Sequence, residues 1–323
     1  MEILTTEFKK SDLDALTNLR QGETKLGQSI VAGTDCLDET VAYVVIGVKE
    51  SIGPVANGGN VGAEHAFDSF LSSFLNIQDN MYFGNASIGL YGTVKVKQIG
   101  VNQTELMQNV AELDEYLVNL IIPFFEKGKK VILIGGGHNN AYPLMKALHQ
   151  IEKKSIAVLN LDPHADFRIL EGRHSGNSFS YALNEGILSN YGVLGLHQNY
   201  NSAEMLGCMH ENEVHFTFFE QYIDKERDFI SDINTMLSWM KKIPLGVELD
   251  MDAIAYMPSS AKTPSGFNLN DARYYVRRCA KQREVCYLHL PEAAPVTEVE
   301  AKMVGKALAY LVSDFIKVNQ QHA

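Results

Sequence analysis

Short apolar runs that end in polar clusters form the most regular pattern in the chain. Residues 155–161 make one such run, and Asp162, His164 and Asp166 follow it directly. Alternate side chains of an extended chain point the same way, so these three are expected to converge just beyond the carboxyl end of a buried strand. Carboxylate and imidazole groups that converge in this way have the geometry of metal ligands.

Two other apolar runs end in the same manner. Residues 131–134 lead into a Gly-Gly-Gly-His138 turn, and residues 244–249 lead into Asp250 and Asp252. Open α/β sheets gather their ligands outside the carboxyl ends of the strands. Three such strands would therefore bring six potential ligands to one crevice.

Segments with helical spacing lie between the strands. In residues 102–126 apolar side chains recur every three or four positions, and Asn102 followed by Glu105 is typical of a helix N-terminus. Further strands are predicted at 41–48, 192–196, 214–218 and 285–290, and further helices at 63–75, 141–150, 228–241, 270–280 and 298–318. This alternation predicts an α/β fold with right-handed crossovers and a parallel sheet.

The domain organisation follows from where the alternation begins. Residues 1–40 are polar and weakly periodic, and we predict an N-terminal extension with one short helix near 11–19. No segment rich in proline, glycine and serine interrupts the rest, so residues 41–323 are expected to form a single catalytic domain. With 46% hydrophobic residues, such a domain can bury a large core.

The chain is acidic, with a formal net charge of -11 and a pI of about 5.4. This balance disfavours nucleic acid and anionic membrane surfaces as partners. No apolar run approaches the roughly 20 residues of a membrane span, and the first residues do not resemble a secretory signal. The four cysteines lack CxxC spacing, which favours reduced thiols over a disulfide framework or a zinc site. We therefore predict a cytoplasmic enzyme that acts on a small molecule.

The clustered acids at the strand ends require a cation. Unpaired buried carboxylates would cost several kcal/mol each. One divalent ion would neutralise two of the four carboxylates, and two ions would neutralise all of them. A ligand set rich in oxygen, with two imidazoles, suits manganese better than zinc, which prefers sulfur and nitrogen.

The three motifs resemble those of the ureohydrolase family, which contains arginase, agmatinase and formimidoylglutamase. The matching segments, in the family's order, are Gly136-Gly137-His138, Asp162-Pro-His164-Ala-Asp166 and Asp250-Met-Asp252. The resemblance extends over roughly residues 41–318. It implies a three-layer α/β/α domain on a mainly parallel central sheet, as in arginase, and a homo-oligomeric enzyme.

The same resemblance implies two Mn2+ ions and assigns their ligands. One ion would take His138, Asp162, Asp166 and Asp250. The other would take Asp162, His164, Asp250 and Asp252, so that Asp162 and Asp250 bridge. Water held between two divalent ions has a lowered pKa and can attack, as hydroxide, the planar carbon of an amidine or guanidine.

Further site residues are implied by position. His174 resembles the family's proton-shuttling histidine, the alternative being a histidine of a surface loop. Glu292 stands where the family places a glutamate that grips the substrate's amidinium-type nitrogens. Asn177, in the same loop as His174, is a candidate substrate contact.

The chain also departs from the family pattern. Ala255 stands where an aspartate often closes the third motif, and Glu248 stands where a serine is common. These changes leave the six metal ligands in place but alter the groups that support them. The alternative to an enzyme is therefore a catalytically silent metal-binding homologue.

The choice of substrate depends on Arg168, two residues after the ligand Asp166. Its guanidinium suits a substrate carboxylate, and the alternative is a structural ion pair with Glu171. Residues 47–57 and 288–295 are most similar to the formimidoylglutamase branch. We therefore favour hydrolysis of N-formimidoyl-L-glutamate to L-glutamate and formamide, as in histidine degradation. The alternative is an arginase-like or agmatinase-like enzyme that releases urea from a guanidino substrate.

Overall fold

A mainly parallel sheet runs through the computed structural model, which describes residues 1–84, 87–97 and 99–322. Within these ranges the strands are β1 (Glu2–Glu7), β2 (Val31–Ala32), β3 (Tyr43–Lys49), β4 (Ile88–Lys97), β5 (Lys130–Ile134), β6 (Ile156–Leu161), β7 (Leu188–Leu196), β8 (His215–Phe218), β9 (Leu245–Leu249) and β10 (Val285–Leu290). The helices are α1 (Lys10–Leu16), α2 (Leu26–Ser29), α3 (Ile52–Ala56), α4 (Ala66–Phe74), α5 (Gln103–Glu126), α6 (Ala141–Glu152), α7 (Ser178–Asn184), α8 (Ala203–Glu211), α9 (Phe219–Ile223), α10 (Phe229–Trp239), α11 (Leu269–Cys279) and α12 (Glu298–Asn319).

The strand order is β1-β4-β3-β5-β10-β9-β6-β7-β8, with β2 also paired to β4. The neighbouring strands pair in parallel except β1 and β4, which are antiparallel. Every residue of β6 is buried, as expected for a parallel strand covered on both faces. The predicted parallel sheet is confirmed.

Helices cover both faces of the sheet. On one face α4, α10, α11 and α12 pack on the core that contains Val45, and on the other α5, α6, α7 and α8 pack on the core that contains Val44 and Ile46. Adjacent residues of β3 thus point into different cores, as the pleat of a strand requires. The predicted three-layer α/β/α architecture is confirmed. No helix in the described part of the chain is long and apolar enough to cross a membrane.

The region predicted to be an N-terminal extension belongs instead to the sheet. Strand β1 pairs with β4 from Glu2 opposite Lys97 to Glu7 opposite Gly92. The pattern of β1 is polar because the strand lies at the edge of the sheet and is only partly buried. The short helix predicted near 11–19 is present as α1, whereas β4 had no predicted counterpart.

The order of strands explains how distant motifs meet. Strands β3, β5, β10, β9 and β6 are successive neighbours and run parallel. Their carboxyl ends are followed in the sequence by polar residues, in that order Glu50, His138, Glu292, Asp250 and Asp162. These five side chains therefore start from one edge of the sheet, where α/β proteins bind their ligands.

Candidate metal centre

Four of the predicted ligands surround one point. The Nδ1 atom of His138 lies 3.2 Å from Asp162 Oδ2, 2.9 Å from Asp166 Oδ2 and 3.1 Å from Asp250 Oδ2. Atoms bound at about 2.1 Å around one ion in octahedral geometry lie about 3 Å apart. The four side chains thus have the spacing of a single coordination shell.

The other two predicted ligands are nearby but more widely spaced. Nδ1 of His164 lies 3.7 Å from Asp162 Oδ1 and 3.9 Å from Asp252 Oδ2. Asp162 directs one oxygen toward His138 and the other toward His164, which is the arrangement expected of a bridging carboxylate. That all six residues bind metal, and that Asp162 and Asp250 bridge, stays a prediction.

The electrostatics of the cluster favour bound cations. Burial raises the pKa of Asp250 well above its ordinary value, and the charges of Asp162 and Asp252 raise it further. Burial and the charge of Asp162 likewise raise the pKa of Asp166. Burial acts in the same direction on Asp162, but hydrogen bonds with His138 and His164 hold its pKa below the usual range. Divalent ions would stabilise the ionised acids, and this set of carboxylates and imidazoles fits Mn2+.

The turn before His138 is held by a buried acid that sequence analysis missed. Glu50, just after β3, accepts hydrogen bonds from the Gly137 N–H and from Asn140 Nδ2, both at 2.7 Å. Gly136 has a φ of 72°, and a Cβ atom there would overlap the Asn140 side chain. Glu50 carries the same signal as the other site residues, an acid directly after an apolar strand.

Glu292 contacts the backbone of the predicted ligand His138, and its role in binding substrate stays a prediction. It follows β10 with a φ of 67°, in the left-handed region that non-glycine residues seldom adopt. Its Oε1 accepts the His138 N–H at 2.7 Å, whereas Oε2 is buried and has no hydrogen-bond partner in the described chain. Burial, and next the charge of Asp252, raises the pKa of Glu292 to about 8.

A cavity of about 490 Å³ opens over these ligands. It is large enough for a small metabolite. Its lining includes four of the predicted ligands (His164, Asp166, Asp250 and Asp252), Glu292, Arg168, Glu171, Tyr200 and the glycine-rich segment Asn57 to Gly59.

His174 lies behind the cavity wall. Its side chain is 1% exposed, and it is not among the described residues that line the cavity. Its Nδ1 accepts the Gly176 N–H at 3.1 Å, so the proton of the neutral ring is on Nε2, 3.3 Å from Oε1 of Glu171. Burial lowers the pKa of His174 to about 4, which keeps the ring neutral. Glu171, which sequence analysis considered only as a partner of Arg168, is thus the residue through which His174 reaches the cavity.

Both interpretations of Arg168 find support. The residue lines the cavity, where a substrate carboxylate could reach it. Its Nε also donates to Oε1 of Glu171 at 3.1 Å, the oxygen that His174 contacts. The side chain is 53% exposed, so the pair is accessible to solvent and can be exchanged for a ligand.

Asn177 does not occupy the predicted substrate position. Its Oδ1 accepts hydrogen bonds from Arg173 Nη1 at 2.6 Å and from the His174 N–H at 3.1 Å, and its Nδ2 donates to the Gly172 carbonyl at 2.7 Å. The side chain is fully buried and is outside the described cavity lining. The buried guanidinium of Arg173 draws it inward, so Asn177 supports the loop and a direct substrate contact is not supported.

The chain is similar in sequence to known proteins. The model of the arginase family matches residues 42–317. Formimidoylglutamase of Macrococcus caseolyticus is 25% identical over 281 residues, which cover 85% of this chain and 86% of that protein. Formimidoylglutamase of Staphylococcus aureus strain MRSA252 is 24% identical over 276 residues, covering 84% and 85%.

Solved structures show the same fold. Trypanosoma cruzi formiminoglutamase with Mn2+ superposes with a TM-score of 0.76 at 19% identity, covering 91% of this chain and 97% of that one. Bacillus subtilis formimidoylglutamase gives a TM-score of 0.77 at 19% identity and covers 94% of each chain. A hypothetical agmatinase from Burkholderia thailandensis gives 0.72 at 16% identity, covering 90% and 89%.

Proposed function

The chain belongs to the arginase family, and on that premise we propose that it is a dinuclear manganese hydrolase of N-formimidoyl-L-glutamate. The observation that carries the proposal is the His138 Nδ1 atom with three carboxylate oxygens about it. Two of these acids, Asp166 and Asp250, line a cavity sized for a small molecule. The formimidoylglutamases among its relatives support the choice of substrate. Cytoplasmic location and homo-oligomeric assembly remain predictions from the sequence.

The six predicted ligands would hold the two ions. His138, Asp162, Asp166 and Asp250 would hold one, and Asp162, His164, Asp250 and Asp252 the other. Divalent ions bound there would lower the pKa of water and so supply a nucleophile at neutral pH. In the overall reaction, water adds to the formimidoyl carbon and the bond from that carbon to the glutamate nitrogen breaks. That nitrogen gains a proton, and the products are formamide and L-glutamate.

The protein's own groups would orient the substrate and move the proton. Glu292 holds its Oε1 on the His138 N–H, which leaves Oε2 for the amidinium nitrogens of the substrate. His174 contacts Glu171, which lines the cavity. In this pair the Glu171 carboxylate would take up the proton released by the attacking water and pass it to the departing glutamate nitrogen, while the neutral His174 ring holds that carboxylate in place.

The glutamate part of the substrate needs a cation in an otherwise acidic protein. Arg168 lines the cavity, and its guanidinium matches a carboxylate in shape and charge. Binding a substrate carboxylate there would compete with Glu171 for the same guanidinium. This exchange would free Glu171, still held by His174, to take up a proton when the substrate is bound.

The alternative is a guanidino substrate, with release of urea. The observation in its favour is the same ion pair, because a Glu171 carboxylate that neutralises Arg168 would tolerate the cationic tail of agmatine. A catalytically silent homologue would bind Mn2+ without turning over either substrate class.

A panel assay tests these alternatives. Protein loaded with Mn2+ is incubated with formimidoylglutamate, arginine, agmatine and shorter guanidino acids, and formamide and urea are measured. We expect formamide from formimidoylglutamate and little urea, with an Asp250→Ala variant as the inactive control. Urea from arginine or agmatine alone would replace the proposal with its alternative, and no product from any substrate would favour the silent homologue.

A further inference from the structure

Glu248 lies behind His138, on the side of the ring away from the predicted metal ligands. Nδ1 of His138 faces the three aspartates, whereas Nε2 lies 3.3 Å from Glu248 Oε2. Nε2 makes no hydrogen bond to any group in the described chain. The imidazole is therefore placed between a cation site on one nitrogen and a carboxylate on the other.

His289 holds this carboxylate from the other side. Its Nδ1 lies 2.6 Å from the same oxygen, Oε2 of Glu248. The two residues lie opposite each other on the paired strands β9 and β10. Glu248, His289 and His138 are all fully buried. The strands thus fix Glu248 against His138, and the position of the carboxylate does not depend on a mobile loop.

In the described part of the chain, imidazoles alone balance the charge of Glu248. In the described residues, its ion-pair partners within 4.0 Å are the two imidazoles, with no lysine or arginine among them. A buried carboxylate without such a partner is costly. A cation bound at Nδ1 of His138 would polarise the imidazole and place a positive charge across the ring from this carboxylate, whose Oε2 lies 3.3 Å from Nε2.

We propose that Glu248, held by His289, is a positioning residue that raises the affinity for Mn2+ of the site containing His138. This inference rests on the proposed dinuclear centre. The carboxylate orients the ring and makes Nδ1 a stronger ligand, and the bound ion stabilises the buried carboxylate in return.

His164, the imidazole of the other predicted site, has a side chain that is 29% exposed and stacks on Tyr200, so its ring is fixed by an aromatic neighbour. The two sites should therefore differ in affinity, with the His138 site the tighter.

A neutral substitution separates this role from a merely structural one. Glu248→Gln keeps the shape of the side chain and removes its charge. Without metal, the variant should be at least as stable to heat as the wild type, because it keeps the shape of Glu248 and no longer buries a carboxylate charge. With metal, it should bind one of the two Mn2+ ions about 10- to 100-fold more weakly, the usual effect of losing a partner of a ligating histidine. If Glu248 had only a structural role, the metal-free Glu248→Gln variant should instead be less stable to heat than the wild type.

The experiment measures Mn2+ binding by isothermal titration calorimetry, and thermal unfolding of the metal-free protein, for the full chain. His289→Asn retains an N–H donor near the position of Nδ1 and should keep affinity within about threefold of the wild type, whereas His289→Leu should lose it as Glu248→Gln does. Asp232→Asn is the matched control, since it neutralises another buried carboxylate, in α10, away from the site. It should leave both affinities unchanged.

The outcomes are distinct. The proposal is supported if Glu248→Gln binds Mn2+ more weakly at one site only and its metal-free form is as stable to heat as the wild type. Unchanged binding at both sites, or equal weakening of both together with lower metal-free stability, overturns it. Wild-type protein that binds two Mn2+ ions with unequal affinity but hydrolyses no amidine would refute the proposed function and leave this inference standing. Wild-type protein that binds no Mn2+ would overturn both.

Discussion

Arg173 and Asp114 form an ion pair inside the protein. Nε of the arginine donates to Oδ2 of the aspartate over 2.8 Å, and the side chains are only 6% and 2% exposed. Asp114 belongs to α5, and Arg173 precedes His174 in the loop behind the cavity. The guanidinium also donates to Asn177 and to the Asn139 carbonyl, so one arginine joins this helix to the loop and to the turn after His138.

Removing one member of this pair should destabilise the protein. Asp114→Ala would leave the Arg173 guanidinium buried without a carboxylate, and we expect a loss of about 3 to 5 kcal/mol in the free energy of unfolding. Urea denaturation measures it. Glu115→Ala is the control, because that neighbouring carboxylate is 62% exposed and pairs with Lys146 on the surface, so its loss should cost less than about 1 kcal/mol. Equal losses in the two variants would contradict the importance of the buried pair.

Metal binding should depend on the two central aspartates. Because Asp162 and Asp250 are predicted to bridge, replacing either with Ala should remove most bound Mn2+ and most activity together. His138→Ala should preferentially empty one site. Metal content after equilibrium dialysis is the measurement, with Asp68→Ala, a carboxylate that is 58% exposed, as the control. Two ions retained in Asp250→Ala would refute the assignment.

The proposed proton path can be tested by rate. We expect His174→Ala to lower kcat by roughly 10²- to 10⁴-fold, the range typical of a lost general acid or base, while two ions stay bound. Glu171→Gln should lower kcat in the same direction, since Glu171 links His174 to the cavity. If His174→Ala has an unchanged kcat, His174 has no role in proton transfer and serves only in the structure of its loop.

The buried His174 should also make stability depend on pH. Burial lowers its pKa from 6.5 to about 4 in the folded protein, so between these values the unfolded chain binds more protons. The stabilisation is therefore complete above about pH 6.5 and is lost as the pH falls toward 4. Each pKa unit corresponds to about 1.4 kcal/mol, and solvent near Glu171 reduces the effect to about 2 kcal/mol. Urea denaturation of metal-free protein at pH 7, 6 and 5 measures it, and a His174→Gln variant with the same pH dependence would refute this source.

Substrate choice should depend on Arg168. Arg168→Met keeps most of the apolar stem and removes the guanidinium, and we expect kcat/KM for formimidoylglutamate to fall by the equivalent of about 2 to 4 kcal/mol. Activity on a cationic amidine should fall less, which serves as the internal control. An undiminished kcat/KM for formimidoylglutamate would remove Arg168 from substrate binding.

Much of the fold could be predicted because its central elements are strongly patterned. Strand β10 lies at the predicted residues, and α5 and α12 differ from the prediction by a single residue, since buried parallel strands and long amphipathic helices leave a clear hydrophobic signal. Strand β1 was not predicted because an edge strand that is partly exposed to solvent has the same polar sequence pattern as a loop. It is recognisable only once its partner β4 is known, and that pairing joins residues some ninety positions apart.

The site also contains residues whose positions could be predicted from the sequence and others whose positions could not. The six predicted metal ligands follow apolar strands in short motifs, so the local sequence was enough to predict that these side chains lie together. The placement of Asn177 depends on Arg173 and thus on Asp114 of a distant helix, which no local pattern reveals. For the same reason the burial of His174 behind Glu171 could not be foreseen.

The strand order also bears on when the predicted metal centre can form during biosynthesis. His138 follows β5 and Asp162 follows β6, but β10 and β9 lie between these two strands in the sheet. A nascent chain that has emerged only as far as about residue 240 lacks both central strands, so it cannot hold the two motifs at coordinating distance. Metal loading of the predicted centre is therefore expected only after β9 and β10 have been synthesised, near the end of translation.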